Sequence, residues 1–105
     1  MERIVEEGLL YDFYGPLLTA HQQKVYEMAV YEDLSLNEIA DIEGVSKQAV
    51  HDLLKRTTTL LKGYEEKLGL IAKSKNIQKK AKDIEAMSTE EAVKRLAREI
   101  VKESL

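Results

Sequence analysis

Apolar residues recur at separations of three and four along most of the chain, and the breaks between those runs predict the elements. Ile4, Val5, Leu9, Leu10, Phe13, Tyr14 and Leu17 define a first helix. The Gly15-Pro16 pair ends it, because proline lacks the amide that a continuing helix needs. Thr19 with Gln22 three residues later has the form of a capping box, and Val25, Met28 and Ala29 give the apolar face of a second helix reaching about Tyr31. Ser35-Leu36-Asn37-Glu38 repeats the box and opens a short helix carrying Leu36, Ile39 and Ala40. Gly44 then supplies a residue for which positive φ costs little, Val45 is expected to plug the corner, and Ser46 to cap a helix through Ala49, Val50, Leu53 and Leu54. Two short helices joined by a glycine turn predict a helix-turn-helix.

Val50, Leu54, Thr57, Leu61, Tyr64, Leu68 and Ile71 continue at alternating separations of four and three, the stripe of an extended packing face. Gly63 weakens that stripe, and Gly69 is expected to bend or end the helix. A lysine run follows as a basic helix or connector with Ile77, Ala81 and Ile84 as its sparse apolar positions. Ser88-Thr89-Glu90-Glu91 is read as the cap of a last helix, whose Ala92, Val93, Leu96, Ala97, Ile100 and Val101 must cover something. The predicted fold is all-α, about six helices. It divides into a helix-turn-helix core over residues 1–72 and a segment 73–105, a basic connector and C-terminal helix packing on the core or on a partner. The Val50 to Ile71 stripe reads first as packing within the chain, and a homodimer through that stripe or through the last helix is left open.

Composition narrows the functions open to such a chain. It has 105 residues and no Cys, which excludes disulfide scaffolds, cysteine-ligated zinc and thiol nucleophiles. No apolar run approaches the roughly 18 residues of a spanning helix, and Met1-Glu2-Arg3-Ile4 does not open a signal peptide, so a cytoplasmic location is expected. Charge is segregated: residues 1–45 carry two basic and ten acidic side chains, net −8, and residues 46–105 carry fourteen basic and nine acidic, net +5. A basic half attracts polyanions or acidic partners.

Catalytic constellations are not found. His21 and His51 lie thirty residues apart, without the spacing that puts two ligands on one helix face, so no metal is expected. Glu6-Glu7, Glu65-Glu66 and Glu90-Glu91 are adjacent pairs that point about 100° apart on a helix, unsuited to paired acid-base work. There is no glycine-rich phosphate loop. The reading is a binding protein, not an enzyme, with no cofactor.

The second helix of the helix-turn-helix carries the candidate binding residues. Ser46 offers a helix N-terminus to a phosphate, Lys47 suits guanine, Gln48 suits adenine, His51 shares their face, and Lys55 and Arg56 suit phosphate. Lys73, Lys75, Lys79, Lys80 and Lys82 add a nonspecific polyanion contact. Glu32, Asp33, Glu38, Asp41 and Glu43 precede that helix and would repel a flanking DNA backbone.

Leu34-Ser35-Leu36-Asn37-Glu38-Ile39-Ala40, with Gly44-Val45-Ser46 and Lys55-Arg56, resembles the wingless helix-turn-helix of region four of bacterial sigma factors. Asp12-Phe13-Tyr14-Gly15-Pro16-Leu17-Leu18-Thr19, Gly44-Val45-Ser46-Lys47-Gln48-Ala49-Val50, Lys55-Arg56-Thr57 and Tyr64-Glu65-Glu66-Lys67-Leu68 narrow the resemblance to the YlxM family. Those are small proteins linked to the bacterial signal recognition particle, and the similarity covers about residues 9–72. The resemblance implies an accessory protein of that pathway, with the particle's RNA and its GTPase subunit as partners and Lys47, Gln48, Lys55 and Arg56 as contacts. It departs from the family pattern at Ile42-Glu43 and at His51, where Tyr is more usual. A DNA-binding transcriptional regulator with double-stranded DNA as its partner is the alternative.

Overall fold

A computed structural model describes residues 2–104, with side chains from Glu6 onward. Ile4 and Val5, which opened the first apolar run, lie outside the described side chains. The described residues form six α-helices and no strand, in two compact units, Met1–Leu68 and Gly69–Leu105.

In the first unit, α1 (Glu2–Tyr14) stops where Gly15–Leu17 tightens into a 3-10 turn around Pro16, closed by the Leu18 N–H donating to the Gly15 carbonyl at 2.9 Å. Both capping boxes form. Before α2 (Ala20–Val30), Thr19 Oγ1 accepts from the Gln22 N–H at 3.2 Å and the Gln22 side chain accepts from the Thr19 N–H at 2.9 Å. Before α3 (Leu36–Glu43), Ser35 Oγ accepts from the Glu38 N–H at 3.1 Å and Glu38 accepts from the Ser35 N–H at 3.0 Å. That backbone donation, followed by the Ser35 side chain, holds the Glu38 carboxyl below its ordinary range.

Gly44 ends α3 at φ 67°, and the Val45 N–H reaches back to the Ala40 carbonyl at 3.1 Å, which satisfies helix-end carbonyls as a left-handed glycine cap does. Ser46 Oγ accepts from the Ala49 N–H at 3.1 Å at the start of α4 (Lys47–Leu68). The core of this corner is Val25, Met28, Ile39, Ala40 and Val50, with Leu34, Leu36, Leu53 and Leu54 packed against it. Val45 does not plug the corner: it stands half exposed, because the reversal at Gly44 turns it outward and Ile39 and Val50 already fill the interior.

Leu10, Tyr14, Tyr26, Thr57 and Leu61 extend the core where α1 and α2 lie against α4. The first part of the predicted stripe is therefore spent inside the unit. Tyrosines tie α1 to its neighbours: the Tyr11 ring stacks on Tyr26 at 5.4 Å, its hydroxyl donates to Glu27, Tyr31 donates to Asp12 at 2.5 Å, and Tyr14 donates to Glu65 at 2.5 Å.

Burial, then the Glu27 carboxylate, pushes the Tyr11 phenol up to about 12, and burial with Asp12 raises Tyr31 as well. A phenol whose folded pKa is raised stabilises the fold fully below its unfolded value, near 10, and loses that contribution as pH climbs through the folded value. Stability is thus expected to fall between about pH 10 and 12. Tyr11→Phe should flatten that fall, a change read by urea denaturation across the alkaline range. A slope indifferent to Tyr11→Phe would remove the Glu27 bond from the account.

In the second unit, Gly69 at φ 63° ends α4, and the lysine run lies within one continuous helix, α5 (Leu70–Met87). The following helix, α6 (Glu91–Glu103), packs antiparallel on α5. Ser74 near the start of α5 donates to the Ser104 carbonyl just past the end of α6, and Arg98 lies 3.5 Å from Glu85. The predicted cap at Ser88 needs correction. The N-cap is Glu90, with no side-chain cap bond, and Ser88 instead closes α5 while its hydroxyl accepts from the Glu90 N–H at 3.1 Å.

Candidate nucleic-acid interface

The outward face of α4 follows from its buried face. Val50, Thr57 and Leu61 point inward, and at about 100° per residue Gln48, Asp52 and Thr59 take the opposite side. His51, Lys55 and Lys62 fall between those extremes, along one flank. There they border a cleft of about 550 Å³, floored by Ala29, Val30, Leu36 and Leu54 and lined also by Glu7, Tyr26, Thr58 and Thr59. Arg56, the neighbour of Lys55, turns about 100° away to the other flank. It lines a smaller cavity of about 230 Å³ with His21, Val45 and Ala49. Lys55 and Arg56 therefore do not act on one ligand group together.

The near end of the helix is partly spoken for. Gln48 Nε2 donates to Asp52 Oδ1 at 2.9 Å, and His51 Nδ1 lies 3.5 Å from the same oxygen. Ser46 spends its hydroxyl on the helix cap. Lys47 is exposed. At the opposite rim, His21 Nε2 and Lys24 Nζ lie 2.7 and 3.3 Å from the two oxygens of Glu43. The His21 bond first, then Lys24, holds the Glu43 carboxyl below its ordinary range, so Glu43 stays anionic and offsets the Lys24 charge.

In the second unit the lysines scatter around α5. Ile71, Ser74 and Ala81 set the seam with α6. The 100° step then puts Lys73 and Lys80 on one side of the hairpin, Lys75 and Lys82 on the other, and Lys79 outward. Lys75 and Lys82 share their side with Lys94, Arg98 and Lys102 of α6, and Arg98 is held there by Glu91 at 3.2 Å and Glu85 at 3.5 Å. A run of five lysines is thus two separate strips of two, with Lys79 outward between them. Lys62 and Lys94 were missed by reading the chain linearly. The His51, Lys55, Lys62 spacing of four and seven was the signal available for the first.

No group of three or more His, Asp or Glu side chains among the described residues is placed to hold a metal ion. No helix among them is long and apolar enough to cross a membrane.

A short capped helix, a left-handed glycine corner and a second helix with a polar outward face define a helix-turn-helix protein. The sequence model of the UPF0122 family, described as "Putative helix-turn-helix protein, YlxM / p13 like", matches residues 1–102, and the chain belongs to this family. A UPF0122 protein of Symbiobacterium thermophilum is 50% identical over 72 residues, 69% of this chain and 67% of its own length. One from Desulforamulus reducens is 52% identical over 73 residues, 70% of this chain and 62% of its own. One from Oceanobacillus iheyensis is 40% identical over 93 residues, 89% of either chain. The first two alignments thus span about two thirds of those relatives.

Proposed function

We propose that this chain is a cytoplasmic, non-enzymatic accessory protein of the bacterial signal recognition particle pathway, binding the particle's RNA through the outward flank of α4. The pathway is what the YlxM resemblance implies. The observation that carries the RNA contact is the basic pair Lys55 and Lys62, with the His51 ring beside them, along a cleft that has hydroxyls from Thr58 and Thr59 and one carboxylate, Glu7. Cations with hydroxyl donors suit phosphate and ribose, and an apolar floor suits an unstacked base. The particle's GTPase subunit is the companion protein partner.

The DNA reading is weaker on this geometry. Base readout by Gln48 first requires breaking its bond to Asp52, and α3, the helix that crosses the backbone in such complexes, carries exposed Glu38 and Asp41.

Fluorescence anisotropy at two salt concentrations tests the proposal, with signal recognition particle RNA against a DNA duplex of equal charge. The expected result is tighter binding of the RNA at both salts. Equal affinities that vanish together with salt would leave electrostatics only and sink the RNA assignment, and tighter duplex binding would return the chain to the DNA reading.

A further inference from the structure

The α5–α6 hairpin buries little of its own apolar surface. Its seam is Ile71, Ser74, Ala81 and Ala97, while Ile77, Ile84, Leu96 and Ile100 remain 41–60% exposed. Helical pairs below about 40 residues seldom supply a sufficient core without a further partner. The exposed four are not scattered. Ile77 and Ile84 sit about 80° to one side of the α5 seam, and Leu96 and Ile100 sit at a similar offset from the α6 seam. In antiparallel helices equal offsets of the same sense lie on the same side of the pair, so the four make one open apolar face, half of a four-helix bundle.

The charges along its borders identify the occupant. Lys73 and Lys80 lie beyond Ile77 on the α5 edge, and Glu99 and Glu103 lie beyond Leu96 and Ile100 on the α6 edge, by the same angular step. The register fixed by Ser74 with Ser104 and Arg98 with Glu85 sets Lys80 level with Glu99. A two-fold axis parallel to the helices places the lysine edge of one hairpin over the glutamate edge of another, on both sides at once. Such a face is self-complementary in apolarity and in charge, as an isologous interface requires.

We infer that this face is a self-association site on which a second copy of the chain completes an antiparallel four-helix bundle. The inference is independent of the RNA reading. The stripe on α4 is not available for the purpose, since Val50, Thr57 and Leu61 are buried in the first unit.

Sedimentation equilibrium of the full chain tests it. The unmodified chain is expected to dimerise, and Ile77→Glu with Leu96→Glu to weaken the dimer at least about tenfold, given the apolar burial lost. Circular dichroism checks that the helices persist. Lys80→Glu and Glu99→Lys, both exposed, are each expected to weaken it about three- to tenfold, because every pair occurs twice. Mixing these two variants is expected to restore association to the unmodified level, since both cross-copy pairs are then opposite in charge. A monomer at every concentration, a dimer indifferent to the paired glutamate substitutions, or a mixture no tighter than its components would each overturn the assignment.

Discussion

Ile39→Ala is expected to lower the stability of the helix-turn-helix by about 2–5 kcal/mol, the largest effect of any single truncation in the corner. Ile39 has no exposed surface and sits among Val25, Met28, Ala40 and Val50, contributed by α2, α3 and α4. Because α3 is only eight residues long, it has no second apolar layer to slide into the vacancy, and the cavity term should stay near its upper range. A domain of this size has about 5–15 kcal/mol in total, so the loss is a large part of it. Urea denaturation followed by circular dichroism should show a lower midpoint at unchanged slope. Leu17→Ala, at a position 56% exposed, is the control and should shift stability by less than about 0.5 kcal/mol. Equal effects of the two substitutions would mean that the corner is not organised around Ile39.

Features set by residues three or four apart were legible in the sequence. Thr19 with Gln22 and Ser35 with Glu38 form their boxes because both partners belong to one turn of helix, and Gly44 and Gly69 take the positive φ for which the corners need glycine. The same rule misled at Ser88, where a string of box type falls on a reversal between two long helices. The end of α5 claims Ser88 first, and the next helix starts beyond its reach. Direction around a helix was the other blind spot. Lys55 and Arg56, or Lys79 and Lys80, read as a single patch in a linear chain, whereas the 100° step sends them to different surfaces. The coupling of Gln48 to Asp52 had a visible signal in its spacing of four, but only the geometry shows the amide committed to that carboxylate.

Lys55→Glu combined with Lys62→Glu is expected to abolish most of the proposed RNA affinity while leaving the fold intact. Both side chains are exposed on the flank of α4 away from Val50, Thr57 and Leu61, so neither substitution touches the core. Each lysine that meets a phosphate releases a counterion, and losing two contacts should reduce the slope of log affinity against log salt by about 1.5 to 2. Arg56→Glu supplies the geometric control: it makes the same change of charge as either lysine substitution alone, half that of the pair, but on the opposite flank, beside His21 and Val45. If binding depends on the cation flank, Arg56→Glu should leave the slope within about half a unit of the unmodified chain. Equal losses per reversed charge from the two flanks would reduce the interaction to overall charge. Asp52→Asn sharpens the comparison, because it removes a negative charge from the same outward face while its amide oxygen can still accept from Gln48. Affinity should then rise, and more so at low salt, where an exposed like charge repels a polyanion most strongly.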